Sequence, residues 1–341
     1  KQVDFDGTDD FMELGSQSAT SSFTYSAWVK YESGDSSILR YGQTLIRFQS
    51  ATVLNVWSDV DAGKTDITIN NAANRWSHLV ITRTGSTLNV YQDGLLKGTN
   101  GSAASVSTTA SDSYIGKYSG SAWFFNGQMS QIGIWNEVLT ADEVSSLYNH
   151  GLPVDLNTNQ AAYESSSNLV GYWRMGSGTL DSYPLIADQT NATLGSELVT
   201  NGDFELNSGW LNFGSPTTSE QSTEQSHTGT YSWKIIADAT QEGIFSPNNF
   251  NLTSGLTYSV SLWIYSVSGN SIKSGLTNTN VSVFAERTVT VGEWTNITYI
   301  ATASSTGAAY ISILSQNSLN FFVDDVSIKQ VNGNPAIMTN Q

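Results

Sequence analysis

Short segments in which apolar and polar residues alternate, bounded by Gly, Ser or Asp, recur through the first 150 residues. In the clearest segment Phe23, Tyr25, Ala27 and Val29 occupy every second position, so they share one face of a strand, and Trp28 points to the other. Such closely spaced strands favour stacked antiparallel sheets over alternating strands and helices. The sequence therefore predicts an all-β fold built from β-sandwich (jelly-roll) domains.

One short helix is predicted near residues 141–150. Thr140 is placed to cap it, and Glu143, three residues later, completes the capping-box pattern. Apolar residues follow at helical spacing, and Gly151 can take the left-handed conformation that stops a helix. A tight turn is expected just before this region, at residues 125–128, because they contain Asn-Gly.

The composition excludes several functional classes. The chain has 341 residues, enough for two domains, and carries 14 Lys plus Arg against 30 Asp plus Glu. Nucleic-acid binding is disfavoured because so few cations can neutralise phosphates. The absence of cysteine excludes disulfides, thiolate metal sites and a Cys nucleophile. No run reaches the ~18 apolar residues of a membrane span, so no membrane insertion is expected.

Three motifs in the first half resemble laminin-G-like domains of the concanavalin A-like jelly-roll class. They are an opening strand pair, a central hairpin and a closing segment with the helix, at residues 3–14, 75–94 and 125–151. The resemblance implies a sandwich over residues 1–196. Residues 169–176 resemble the strand that usually precedes such a domain, so 157–196 is predicted to be either an added edge strand or a linker.

The second half resembles the carbohydrate-binding modules grouped as families 4, 9 and 22. The matching segments are 198–210, 227–235, 256–264 and 321–328. This resemblance implies a jelly roll over residues 197–331 and, more loosely, a sugar ligand. Residues 332–341 are predicted to be a tail or linker.

The order of the two domains also resembles structural proteins of marine bacteriophage virions, and bacterial surface adhesins use the same parts. Low lysine content with abundant Ser, Thr, Asn and Gly suits a β-rich protein outside the cell. The expected location is therefore extracellular, on a virion surface or a bacterial cell surface.

The resemblance to families 4 and 22 implies a structural calcium ion that joins the first and last strands of the second domain. Carried over by motif position, its side-chain ligands are Asp203, Glu205 and Asp324. Oxygen-only ligands suit a hard cation such as calcium. An ion that binds only the folded state stabilises the folded state. The alternative is that Asp203 forms a turn and Asp324 faces water.

Two aromatic residues are predicted to face outwards from a strand of the second domain. Alternate apolar positions in the segment 258–264 share the core face, so Trp263 and Tyr265 lie on the opposite face. Tyr310 shows the same alternation and is predicted to join them. An outward aromatic surface can stack on a pyranose ring or be covered by a partner.

Catalysis is not expected. A glycosidase needs two carboxylates roughly 5–10 Å apart across the sugar bond, and the Glu-x-Asp-x-x-Glu pattern of glucanases with this fold does not occur. The three histidines, His78, His150 and His227, each have a structural explanation at their position.

The leading hypothesis is a non-catalytic protein that binds glycans or cell-surface polysaccharide, or mediates adhesion. One alternative is a structural virion protein, a decoration or fibre component, whose outward aromatics contact other virion or surface-assembly subunits. Another is a pair of accessory binding domains from a larger secreted carbohydrate-active enzyme.

Overall fold

The computed structural model describes residues 1–59, 62–120, 122–246 and 250–339. It is 54% strand and 4% helix, which confirms the predicted all-β fold with one short helix. The chain forms two compact units, Lys1–Thr193 with Asn332–Gln341, and Leu194–Val331. The second unit is therefore inserted into the first. Within the described ranges, no helix is long and apolar enough to cross a membrane.

The first unit consists mainly of two antiparallel sheets and one helix. In chain order its elements are β1 Val3–Asp6, β2 Phe11–Gln17, β3 Ser22–Tyr31, β4 Ser36–Tyr41, β5 Thr44–Ser50, β6 Val53–Asp59, β7 Ala62–Thr68, β8 Trp76–Thr84, β9 Thr87–Gln92, β10 Leu95–Asn100, β11 Ser111–Ile115, β12 Asn126–Trp135, α1 Ala141–Tyr148, β13 Leu169–Trp173 and β14 Leu185–Ile186. One sheet has the order β1-β12-β3-β8-β9-β10, with β13 also beside β12. The other contains the run β2-β11-β4-β5-β6-β7.

The alternating pattern of β3 places the predicted residues in the core. Phe23, Tyr25, Ala27 and Val29 are all buried there. Trp28 lies on the opposite face, as expected, yet it is only 6% exposed. It is covered because its ring stacks near Tyr148 of α1, with ring centroids 5.9 Å apart.

Helix α1 begins as the sequence predicts and ends two residues earlier. Thr140 is the N-cap: its Oγ1 accepts from the Glu143 backbone N–H (3.2 Å), while Glu143 Oε2 accepts from the Thr140 N–H (2.9 Å). Asn149, at φ 43° and ψ 50°, is the first left-handed residue, ahead of Gly151. Asn tolerates this conformation better than most residues do, so Gly151 is not required to stop the helix.

The predicted tight turn at residues 125–128 is wrong. Residues 126–128 begin strand β12, and Gly127 pairs with Phe5 on one side and Tyr31 on the other. An ideal Cβ on Gly127 would lie 2.0 Å from the carbonyl oxygen of Lys30. Gly is needed here for the close approach of two backbones within a sheet, and not for a turn.

Strand β13 lies within the segment 157–196. It pairs with residues 132–135 of β12 at the edge of the first sheet, as in the edge-strand alternative. Asp188 supports it from within the same segment, because its Oδ1 accepts from the Tyr172 N–H (2.9 Å). Its other oxygen accepts from the Asn334 N–H (3.2 Å), beyond the inserted unit.

The second unit has two main sheets that enclose one core. Its strands are β15 Leu194–Glu197, β16 Leu211–Phe213, β17 Thr218–Ser222, β18 Ser232–Ala237, β19 Gly243–Phe245, β20 Phe250–Leu252, β21 Thr257–Ser268, β22 Ser271–Leu276, β23 Glu286–Thr288, β24 Trp294–Thr302, β25 Gly307–Ala309, β26 Ile311–Ser315 and β27 Leu319–Val331. The six-stranded sheet has the order β17-β18-β27-β21-β24, with β15 beside β27, and the five-stranded sheet has the order β16-β19-β26-β22-β23.

The predicted tail contains a strand of the first unit. Strand β28, Ala336–Thr339, lies between β14 and β2 in the eight-stranded sheet, and Met338 pairs with Met12. Ala336 and Met338 are buried in the first core, which explains why the chain returns there. The interpretation of 332–341 as a tail or linker is therefore corrected for its described residues; 340 and 341 lie outside them.

Candidate functional site

Trp263 and Tyr265 lie on the outer face of the six-stranded sheet. Their neighbours in β21, Val260, Leu262 and Ile264, are completely buried in the core. Since side chains alternate along a strand, the two aromatic rings must project from the other side. Both are half-buried there.

The rings of this face form one contiguous group, called here the tryptophan surface: His227, Trp263, Tyr265, Trp294 and Phe322. His227 stacks on Trp263 with centroids 3.8 Å apart and planes 17° apart. Trp294 lies 5.6 Å from His227 and 5.7 Å from Tyr265, and Tyr265 lies 6.2 Å from Phe322. Strands β21, β24 and β27 carry four of these rings, and the segment between β17 and β18 carries His227.

A turn that carries His227 is held in place by carboxylates. Asp324 Oδ2 accepts from the backbone N–H of His227 (2.8 Å), and Nδ1 of His227 lies 2.6 Å from Asp325 Oδ2. Glu205 Oε1 accepts from the N–H groups of Thr230 (2.7 Å) and Tyr231 (2.8 Å). These bonds fix the imidazole against the indole of Trp263.

The three predicted calcium ligands do not form a shared set of ligand atoms. Asp203 is exposed, whereas Asp324 is completely buried, and burial raises its pKa to about 6. Glu205 and Asp324 each direct an oxygen at backbone N–H donors of the turn that carries His227. The alternative that Asp324 faces water is wrong. Among the described residues, these three side chains are not a group whose oxygens lie close enough to share an ion, and calcium binding here stays a prediction.

The acidic residues that do cluster lie in the first unit. Among the described residues, the group of three carboxylates close enough to share an ion is Asp6, Asp9 and Asp10. Asp6 Oδ1 accepts from the N–H of Thr8 (2.7 Å), and Asp10 Oδ2 accepts from the N–H of Asp6 (2.9 Å). These bonds are those of a tight acidic turn.

Tyr310 does not join Trp263 and Tyr265, so that part of the prediction is wrong. It immediately precedes β26 in the five-stranded sheet, and its ring lies 5.4 Å from Phe245. Phe245 lies 6.2 Å from Phe213, which lies 6.3 Å from Phe284. Alternation along β26 correctly placed Tyr310 opposite the core residues, but it could not show which sheet β26 enters.

The four rings, Phe284, Phe213, Phe245 and Tyr310, are called here the phenylalanine row. Consecutive rings meet edge to face, at 78°, 87° and 61°. Edge-to-face contacts leave part of each ring face free for another contact. Phe284 is 41% exposed, and the other three rings are half-buried.

The loop between β22 and β23 positions Phe284. It crosses the outer face of the sheet at Gly275, where an ideal Cβ would lie 2.0 Å from the carbonyl oxygen of Ser282. Ser312 Oγ donates to the carbonyl of Val283 (3.3 Å) and holds the loop down. Only glycine permits this close approach, so the loop rests on the sheet and presents the ring.

Charged groups flank the phenylalanine row. Lys273 of β22 pairs in register with Glu286 of β23 and with Leu314 of β26. Leu314 also pairs with Gly243 of β19, and Gly243 pairs with Phe213 of β16. An ammonium and a carboxylate therefore lie on the same sheet face as the rings, where they can bond to hydroxyl groups of a bound molecule.

The histidines do not form a catalytic arrangement. His78 Nε2 lies 2.8 Å from Ser26 Oγ, but the imidazole is only 2% exposed, and burial lowers its pKa to about 3. Asp93 accepts from the His78 backbone N–H, and so it does not orient the ring. His227 stacks on Trp263, as described above.

Comparison with known families defines both units. Residues 6–145 match the family described as concanavalin A-like lectin/glucanases superfamily, and residues 196–318 match the family described as carbohydrate binding domain. The chain therefore carries a concanavalin A-like domain together with a carbohydrate-binding domain.

Individual relatives cover only parts of the chain. Endo-1,4-beta-xylanase Y of Acetivibrio thermocellus is 28% identical over 142 residues, which are 38% of this chain and 13% of the xylanase. The solved CBM22-1-GH10 modules of Clostridium thermocellum xylanase 10B, complexed with xylohexaose, are 24% identical with a TM-score of 0.34, covering 40% of this chain and 29% of that one.

Two further solved structures are similar. The xylan-binding CBM22-1 domain of Paenibacillus barcinonensis Xyn10C is 16% identical with a TM-score of 0.33, covering 41% of this chain and 98% of that one. A heptameric SAP-like pentraxin from Limulus polyphemus is 19% identical with a TM-score of 0.37, covering 43% of this chain and 81% of that one.

Proposed function

We propose that the chain is a non-catalytic glycan-binding protein that acts outside the cell, and that the phenylalanine row is its sugar-binding site. The observation that carries the proposal is the line of four rings on the outer face of the carbohydrate-binding domain. Successive centroids are 5.4–6.3 Å apart, so the four rings together can contact more than one ring of a linked sugar.

The chemistry of the row suits a sugar. A pyranose has an apolar C–H face and polar edges, so it pairs with an aromatic face and with hydrogen-bonding groups beside it. The row supplies the faces, while Lys273 and Glu286 supply the polar groups on the same side of the sheet. Neutral β-1,4-linked glycans of the xylan type are the first ligands to test, because the similar domains named above bind xylan or occur in xylanases.

Removing a central ring tests the site. Phe245→Ala and Tyr310→Ala are expected to weaken xylohexaose binding about tenfold or more, because each loses a stacking contact. Isothermal titration measures the affinity, and circular dichroism checks the fold. Leu152→Ala is the control, since Leu152 is 66% exposed and belongs to the first unit. Unchanged affinity in both ring variants would refute this site.

The setting in which the domain pair acts is a separate part of the proposal. Display on a virion or cell surface and membership of a larger secreted carbohydrate-active enzyme both agree with glycan binding. The match to a short part of a xylanase supports the second setting. Mass spectrometry of the native protein distinguishes them, because the enzyme setting requires a catalytic domain on the same polypeptide.

The second candidate function is subunit contact through the tryptophan surface. The half-buried rings of Trp263, Tyr265 and Trp294 favour it, because partners commonly cover aromatic surfaces of this kind. In that case Trp263→Ala changes the assembly state measured by light scattering and leaves glycan binding intact.

A further inference from the structure

The second unit has aromatic surfaces on both of its main sheets. The core between these sheets contains Ile235 and Ile264 from the six-stranded sheet, and Ile244 and Ile313 from the five-stranded sheet. Because the two sheets enclose one core, their outer faces point in opposite directions. The tryptophan surface and the phenylalanine row therefore lie on opposite sides of the domain and cannot form one continuous binding site.

The tryptophan surface has the rings and the polar edge that recognition of a sugar requires. Trp263 lies directly across from Asn296, and Tyr265 directly across from Trp294, on paired strands. Asn296 is exposed, and its Nδ2 donates to Ser261 Oγ (3.2 Å). A side-chain amide thus lies beside the indole of Trp263, where it can bond to a sugar hydroxyl.

The charges of this surface favour a neutral ligand over an anionic one. Lys234 Nζ lies 2.5 Å from Glu224 Oε1, and His227 Nδ1 lies 2.6 Å from Asp325 Oδ2. Lys234 is thus paired with a carboxylate, and a second carboxylate lies beside the His227 ring. An anionic polymer would meet carboxylates and a lysine that is already paired, on a chain with a formal charge of −16.

His227 contacts the indole ring of Trp263 and limits its movement. Its imidazole stacks on Trp263 at 3.8 Å, and Asp324 holds the backbone of the same turn. The stacked imidazole restricts the orientations that the indole can take. A fixed ring loses little side-chain entropy on binding, which favours a recognition role.

We infer that the carbohydrate-binding domain has a second glycan site at the tryptophan surface, so that one domain binds two neutral glycan chains on opposite faces and crosslinks them. This inference rests on the proposed function, because the phenylalanine row is the other of the two sites. Two sites on one rigid domain also raise the avidity for a polysaccharide that presents many repeats.

The test uses the full chain and xylohexaose. Isothermal titration is expected to give two xylohexaose molecules per chain, and one for either Trp263→Ala or Phe245→Ala. Asn296→Ala, an exposed change that leaves the rings in place, is expected to weaken one of the two binding events severalfold. A xylan solution is expected to become turbid when the unmodified chain is added, because crosslinked xylan scatters light. It is expected to stay clear when either ring variant is added.

Each of the following outcomes would contradict the second site. A single site that is lost in Phe245→Ala and unchanged in Trp263→Ala and Asn296→Ala overturns the second site and leaves the proposed function standing. A single site lost only in Trp263→Ala overturns both the crosslinking and the proposed location. No binding by the folded chain overturns the proposed xylan-type ligand together with this inference. A changed assembly state in Trp263→Ala, with two sites retained, identifies a subunit contact and also overturns it.

Discussion

At the scale of single residues, carboxylates in the second domain act as acceptors for backbone N–H groups. Glu205 and Asp324 bind opposite ends of the turn that contains His227. Motif position alone had suggested that both hold calcium. A motif records which residues are present but not where their oxygens point, and that direction depends on the turn folded against them.

Truncating Glu205 should destabilise the protein even without calcium. Glu205→Ala leaves the N–H groups of Thr230 and Tyr231 without their acceptor, so the free energy of unfolding should fall by about 1–3 kcal/mol. Urea unfolding in the presence of a chelator measures it. Glu220→Ala is the control, since Glu220 is exposed on the neighbouring strand β17. If chelator alone removes the difference between Glu205→Ala and the unmodified chain, an ion explains the role of Glu205 better.

At the scale of elements, helix α1 covers a polar and aromatic group on the outer face of the first sheet. Trp28 and His78 stack at 4.9 Å, and Tyr148 of the helix lies 5.9 Å from Trp28. The buried Ser26 and His78 bond to each other beneath this cover. The helix is short, so its formation depends on its cap and on this contact.

Removing the cap should loosen this cover. Thr140→Ala loses the bond to the Glu143 N–H, and the free energy of unfolding of the first unit should fall by about 0.5–2 kcal/mol. Hydrogen exchange should also speed up in residues 141–148. Ser145→Ala, an exposed change within the same helix, should not destabilise it, because Ala is the better helix former. Equal loss in both variants would contradict a specific role for the cap.

At the scale of the whole molecule, the carbohydrate-binding domain is inserted into the concanavalin A-like domain. Strand β28 returns after the insertion and pairs with β2 and β14. Trp173 Nε1 donates to the carbonyl of Asn334 (3.0 Å), and Asp188 bonds to the N–H of the same residue. The first domain is thus completed by residues at both ends of the described chain.

A charge in β28 should therefore destabilise the first domain selectively. Met338→Asp puts a carboxylate into the first core, so the melting transition of that domain should fall by several degrees or be lost, while that of residues 194–331 stays unchanged. Calorimetry separates the two transitions. Ile337→Asp, on the opposite face of the same strand and half-buried, should have a smaller effect. An equal fall of both transitions would contradict independent cores.

The sequence by itself determined the all-β class, the helix and its cap, and the outward direction of Trp263 and Tyr265. These features depend on periodicity and capping within a few residues, where local geometry decides the outcome. Only the tertiary structure decided that Tyr310 belongs with Phe213 and Phe245, that β28 completes the first domain, and that Glu205 and Asp324 hold a turn. Each of these depends on which strands are neighbours and which donors a side chain meets, and contacts between residues far apart in the chain leave no local pattern to read.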